Sequence, residues 1–220
     1  MKFLETAWKI IVDSLFPLSK TEEELLSMSR EEALAKLPPA PGYDASVVPI
    51  PGSRSVFAYK DERVSKLVWS IKYKHSAHCI RLGAYALYKH LPIAENLILV
   101  PIPISSRRRR ERGYNQCELL IDEIMMFDAG KSLIHENKLL KRIQHASRQT
   151  LKSRADRLTG SKGIFEVDED VAVRLKKAHA GKIKVIVIDD VVTTGSTMKE
   201  ALDIIRAAGF GEVTGLSLAH

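Results

Sequence analysis

The sequence predicts an α/β chain built on an open parallel sheet flanked by helices. Three observations carry that expectation. Val185-Ile186-Val187-Ile188 and Leu97-Ile98-Leu99-Val100 are unbroken apolar runs of strand length, the pattern of strands buried on both faces. Segments of helical periodicity separate them, such as Val64, Leu67, Val68 and Ile71. Turn-forming and helix-opening residues follow each run. A length of 220 residues fits one main domain, taken as 55–220, with a mainly helical appendage at 1–54.

The elements follow in order. Leu4, Ala7, Trp8, Ile11 and Leu15 predict a packing helix that Pro17 ends. Thr21 with Glu24 and Ser29 with Glu32 have capping-box spacing and predict two short helices. Pro38-Pro39-Ala40-Pro41-Gly42 reads as a linker. Val47 to Ile50 and Val56 to Tyr59 read as short strands about Pro51-Gly52-Ser53. The helix of Val64 to Ile71 is expected to expose Lys66 and Lys72, and another spans Leu82 to Leu91. His75, His78 and Cys79 lack a fourth ligand in sequence and read as helix-surface and buried-thiol residues rather than a metal site.

The strand at Leu97 runs into Pro101-Ile102-Pro103-Ile104, a strand end. Ser105 to Arg112, with four adjacent arginines, then reads as a basic loop ahead of a helix through Leu119, Leu120 and Ile124. Two readings of that loop stay open, a solvated surface and a phosphate-binding one. Leu139 to Ile143 reads as the next strand. Gln144 to Phe165 is basic and aperiodic, which leaves a mobile lid and a short surface helix as alternatives. Glu212 to Leu218 is the last strand, so a hood over the strand ends is expected from residues 1–60.

Composition bounds the class. No apolar run approaches the roughly 18–20 residues of a membrane-spanning helix. Cys79 and Cys117 do not make a disulfide framework, and Met1 to Leu15 lacks a cleavage site, so a cytoplasmic location is expected. A net charge of +7 favours phosphate-rich partners of any size.

The most informative stretch is Lys184 to Thr197. Asp189 and Asp190 end a buried strand, and Val192-Thr193-Thr194-Gly195-Ser196-Thr197 opens a helix. Unpaired amides and the positive end of the helix dipole suit an anion. The carboxylates are acceptors only and suit hydroxyls, so the pair of features suits a sugar phosphate. Neither a Walker A loop nor a G-x-G-x-x-G fingerprint is present.

This stretch resembles the phosphoribosyl-pyrophosphate (PRPP) motif of type I phosphoribosyltransferases. The resemblance implies their open parallel sheet. It implies that Asp189 and Asp190 hold the ribose hydroxyls at the catalytic centre, and that Val192 to Thr197 hold the 5′-phosphate. More closely, the chain resembles the ComF family. Tyr59, Leu67, Lys72-Tyr73, Val100-Pro101-Ile102-Pro103, Arg112-Gly113-Tyr114-Asn115-Gln116, Gln149, Arg157 and Phe165 precede the motif in the family's order, over 55–220.

That resemblance implies Pro103, Ile104, Ser105, Ser106, Arg107 and Arg112 on the pyrophosphate side. Tyr114, Asn115, Gln116, Gln149 and Arg157 fall at the lid or beside it. Mg²⁺ is expected to arrive with PRPP, with no metal held by protein ligands alone. The implied reaction transfers phosphoribosyl to an unidentified acceptor, nucleobases included, and releases pyrophosphate. The alternative is a single-stranded DNA-binding accessory of DNA uptake in natural competence, with a regulatory or relic PRPP site and with Tyr114 and Phe165 as stacking aromatics. A homodimer is also in keeping with the family. The chain departs from the family pattern twice. No cysteine precedes Cys79, so the family's zinc ribbon is absent and no zinc is expected, and Gly160 stands where the family carries an Asn.

Overall fold

The computed structural model describes residues 18–40, 51–92, 96–129, 132–143, 163–179 and 183–220. Helices α1 (Lys20–Ser27) and α2 (Arg30–Lys36) lead into β1 (Ser53–Phe57). Next come α3 (Glu62–Trp69), a π turn (Ser70–Lys74), α4 (Ala77–Lys89), β2 (Leu97–Pro101), α5 (Ser106–Arg112) and α6 (Gln116–Phe127). After β3 (Leu133–His135), β4 (Leu140–Arg142) and β5 (Phe165–Val167) the chain makes α7 (Glu169–Ala178), β6 (Lys184–Val191), α8 (Ser196–Ala207) and β7 (Glu212–Ala219). The main sheet has the order β1-β7-β6-β2-β3, and all its pairs are parallel. This is the open parallel α/β sheet that the sequence implied.

Strand alternation feeds two cores. Ile186, Ile188, Leu97, Leu99, Leu216 and Leu218 point to one face, where Leu67, Leu87 and Ile121 from helices α3, α4 and α6 cover them. Val185, Val187, Ile98, Val100 and Val213 point to the other, under Leu175 of α7 and Leu202 of α8. Leu25 of α1 and Ala33 of α2 belong to the first core, so the described part of 18–40 shares its packing with the sheet.

Several local expectations are corrected. The first capping box is Ser19 with Glu22, two residues before Thr21 and Glu24; Thr21 instead donates to Glu62 (3.0 Å). The second, Ser29 with Glu32, is as expected. Pro38 to Ala40 is not a free linker. Pro39 bridges Phe57 antiparallel, and Ala40 N–H donates to Val56 O (2.8 Å), which covers the outer edge of β1. The first strand begins at Ser53 and ends at Phe57 rather than running from Val56 to Tyr59. The strand at Leu140 is not the next sheet strand. It pairs antiparallel with β5 in a separate ribbon, and the sheet's edge is the short β3. The expected helix at 3–16 and strand at 47–50 lie outside the described residues.

Gly215 of β7 seats the helix behind the motif loop. A Cβ there would lie 2.6 Å from Met198 Sδ and 2.9 Å from Ser53 Oγ. Met198 is fully buried in the first turn of α8. Gly215→Val is therefore expected to destabilise by about 1–3 kcal/mol through overpacking. Urea unfolding measures it, and adding Met198→Ala is expected to recover part of the loss. An unchanged midpoint would mean that α8 is not held by this contact.

Candidate active site

The site lies at the C-terminal end of β6. Alternation along the strand puts Asp190 in the row of Ile186 and Ile188 and Asp189 in the row of Val185 and Val187. The carboxylates thus straddle the strand end. Both are buried, at 9% and 4% exposure for Asp189 and Asp190. Asp190 N–H donates to Asp189 Oδ1 (2.8 Å), and Val191 N–H donates to Asp190 Oδ1 (2.7 Å). Cys117 Sγ, at the start of α6, donates to Asp189 Oδ1 across 3.7 Å.

The counter-charge is Lys72. Its Nζ lies 3.1 Å from Asp190 Oδ2. The approach neutralises charge but is not aligned as a hydrogen bond, so among the described residues Asp190 Oδ2 keeps unfilled acceptor capacity. Burial, then the charge of Asp190, pushes the Asp189 carboxyl well above the usual carboxylate range. Burial, with Asp189 next, likewise pushes the Cys117 thiol up, so this cysteine is a proton-bearing donor rather than a nucleophile.

Lys72 corrects the expectation of an exposed side chain. It stands four residues after the buried Val68, at the border of the apolar stripe, and the π turn carries it over the end of β6. That i+4 relation to Val68 was the available signal. Of the other candidates, Cys79 is buried, His78 Nε2 lies 3.1 Å from Leu25 O, and the His75 ring stacks on Tyr114 at 4.6 Å.

The motif loop follows directly. Gly195 has φ +79° and precedes Ser196, where α8 begins with no side-chain cap. Its first-turn amides are thus left for an anion. Thr193, Thr194 and Ser196 are exposed, and Thr194 Oγ1 lies 3.2 Å from Ser196 Oγ. Val192 is buried. Its N–H donates to Ala219 O (3.0 Å) and its carbonyl accepts from His220 Nδ1 (2.8 Å), so it braces the loop from below.

Across the sheet, Pro103 and Ile104 leave β2, Ser105 caps α5, and Ser106 begins it. The stretch read as a basic loop is this helix. Arg107 pairs with Glu111 (2.7 Å), Arg109 with Glu118 (2.9 Å), and Gly113 N–H closes the end on Arg109 O. Arg112 turns back to Gln116 and Tyr73 rather than outward. Asn115 is buried; its amide donates to Ile102 O (3.0 Å) and its oxygen accepts from Cys117 N–H. Phe165 is 1% exposed under the Arg142 guanidinium, which corrects its reading as a stacking aromatic. Arg142 itself, missed in the sequence because it was read within a sheet strand, donates to Pro103 O (3.3 Å) beside this loop. Gln149 and Arg157 lie outside the described residues.

The raised pKa of Asp189 means that the folded chain holds this proton more tightly than the unfolded chain. The stability penalty is absent at low pH, grows as pH rises from roughly 4 toward the folded value, and then stays constant. Asp189→Asn is therefore expected to raise Tm at pH 7.5 by about 2–4 °C, the shift for roughly 1 kcal/mol in a chain of this size. The gain should shrink toward pH 4. Calorimetric scans across pH check both, and a lower Tm at pH 7.5 would contradict the burden assigned to this carboxylate.

No protein-family model matches the chain. Among curated proteins it is 30% identical over 122 residues to "Competence protein F" of Haemophilus influenzae, covering 56% of this chain and 49% of that protein. It is 29% identical over 160 residues to "Competence protein ComFC" of Bacillus subtilis, covering 71% and 59% respectively. With the Streptococcus pneumoniae protein of the same name the identity is 32% over 121 residues, covering 55% and 47%. The chain spans about half the length of the curated relatives it matches. Two solved structures align with TM-scores of 0.43 at 16% and 17% identity, covering 68% of this chain and 30% of theirs. They are an allosteric regulatory enzyme of purine biosynthesis and the glutamine PRPP amidotransferase of B. subtilis with ADP and GMP. On the three curated matches, the chain is similar over more than half of its length to competence proteins of the ComF type.

Proposed function

We propose that the protein binds PRPP at the end of β6 and transfers its phosphoribosyl group, with release of pyrophosphate, to an acceptor that a nucleobase would suit. The observation that carries this reading is the continuity of two buried carboxylates with an uncapped helix start seven residues after Asp189. Asp190 Oδ2 has acceptor capacity for a ribose hydroxyl. The amides after Gly195 and the hydroxyls of Thr193, Thr194, Ser196 and Thr197 are suited to the 5′-phosphate. Pro103 to Arg107, with Arg142 behind them, face the pyrophosphate end of such a ligand. Bound with the ligand, Mg²⁺ would neutralise charge on the departing pyrophosphate. The chain's own contribution is orientation and charge placement. The relatives named competence proteins support a setting in competence, and a cytoplasmic homodimer fits the same reading.

A second reading rests on the surface beside the site. Trp69 and Tyr73 are 42% and 60% exposed, with ring centroids 5.9 Å apart. Lys74 lies 5.1 Å from the Trp69 ring, and Arg112 lies 4.9 Å from Tyr73. Exposed aromatics among cations suit the stacked bases of single-stranded nucleic acid. This surface supports the reading as a binder of DNA uptake, with Trp69 and Tyr73 as its stacking residues instead of Tyr114 and Phe165. Its signature would be affinity that falls steeply with salt.

The test is calorimetric titration of PRPP with Mg²⁺, beside ribose 5-phosphate. Saturable PRPP binding is expected, and Asp190→Asn is expected to weaken it more than about tenfold, as loss of a charged hydrogen-bond acceptor does. Wild-type protein that binds neither ligand would overturn the proposal, as would unchanged affinity in a folded Asp190→Asn variant.

A further inference from the structure

The segment Arg112-Gly113-Tyr114-Asn115-Gln116 holds polar and aromatic groups that look made for a ligand. The structure spends them on the protein itself. Tyr114 Oη donates to both Ile71 O and Lys72 O, each at 3.0 Å. Those carbonyls belong to the π turn, whose widened i→i+5 pitch leaves main-chain acceptors for a side chain to take up. The ring of Tyr114 stacks on His75, which ends the turn in the left-handed region at φ 49°. Arg112 donates to Tyr73 Oη (3.3 Å) with its guanidinium over that ring, and Gln116 Oε1 holds the same guanidinium (2.9 Å).

Apart from the Gln116–Arg112 brace, each of these contacts lands on residues 71 to 75, and Lys72 is among them. We infer that Arg112, Tyr114 and Gln116 act as a buckle that positions Lys72 over Asp190, and are positioning residues rather than ligand contacts. The buckle also reaches the second carboxylate. Asn115, tied to Ile102 O, orients the Cys117 amide at the start of α6, and Cys117 Sγ meets Asp189. A single segment thus sets a cation over Asp190 and a donor on Asp189. Removing Tyr114 Oη frees two carbonyls and lets the turn relax toward a regular α-helical pitch, which carries Lys72 off the strand end. The role given to Lys72 rests on the reading of Asp189 and Asp190 as the ribose site, whereas the buckle itself rests on geometry alone.

The experiment has two arms. In the first, ligand-free protein is trace-acetylated with N-acetoxysuccinimide, and mass spectrometry reads Lys72 against the exposed Lys20. Tyr114→Phe keeps the ring and removes only the hydroxyl, and is expected to raise relative labelling of Lys72 about three- to tenfold. Arg112→Lys, which keeps charge but loses the planar fork, should move it the same way. Unchanged labelling in both folded variants overturns the buckle. In the second arm, PRPP affinity is measured for Tyr114→Phe, Lys72→Met and the double variant. The double is expected to bind no worse than Lys72→Met alone. Additive losses would show that Tyr114 acts otherwise than through Lys72 and would overturn the inference. A wild-type protein that binds no PRPP defeats the proposed reaction, and the labelling arm then decides the buckle by itself.

Discussion

The constraint on which the rest depends is the burial of two carboxylates at the end of one strand. Adjacent acids with 9% and 4% exposure cannot both stay charged in a poorly solvated site unless a cation and directed donors meet them. Lys72 supplies the cation to Asp190, and the amide of Asp190 and the thiol of Cys117 supply donors to Asp189. Neither Lys72 nor Cys117 is near β6 in sequence. Bringing them there takes a π turn at the end of α3, a buried asparagine ahead of α6, and a tyrosine that spans the two. These are departures from ideal geometry, and they gather where the charge has to be balanced.

The same strand explains what was legible. A run buried on both faces has no polar alternation, so Val185 to Ile188 declares itself, and the acid pair and loop after it are contiguous in sequence. The edge strand β3 has three residues and pairs on one side only, which leaves too little apolar pattern to see. The arginine helix was hidden for a different reason. Its seven residues bury none of their side chains, so no periodicity exists to read. What folds it is local: the Ser105 cap, the Arg107–Glu111 pair and the Gly113 stop. Those cues stood in the sequence, and the charge run drew attention from them.

The roles of Lys72 and Tyr114 were less accessible, since both follow from contacts between distant segments. Tyr114 and the two carbonyls it binds are more than forty residues apart. Side-chain chemistry alone makes Tyr114 a stacking candidate, and only the fold shows its hydroxyl already occupied. Conversely, Trp69 and Tyr73 lie off the apolar stripe of Val64, Leu67, Val68 and Ile71, and nothing in that periodicity marks them. The π turn rotates the chain after Trp69, so that Lys72 turns inward while Tyr73 is left 60% exposed.

This geometry sets stability against binding. Asp189 carries a proton affinity raised by burial and by its neighbour, so the folded chain bears an electrostatic burden at neutral pH. Nothing in the packing needs that burden: Val187 and Ile188 fill both cores without the acids that follow. A carboxylate pair that costs stability and leaves Asp190 Oδ2 without a donor among the described residues is the pattern of a functional site rather than of a structural one. The motif loop shows the complementary arrangement. Its backbone is braced from below through Val192, Ala219 and His220, while Thr193, Thr194 and Ser196 on its upper surface are left exposed. Rigid support beneath open donors is what preorganised binding of an anion requires, because the ordering cost is met when the chain folds and not when the ligand arrives.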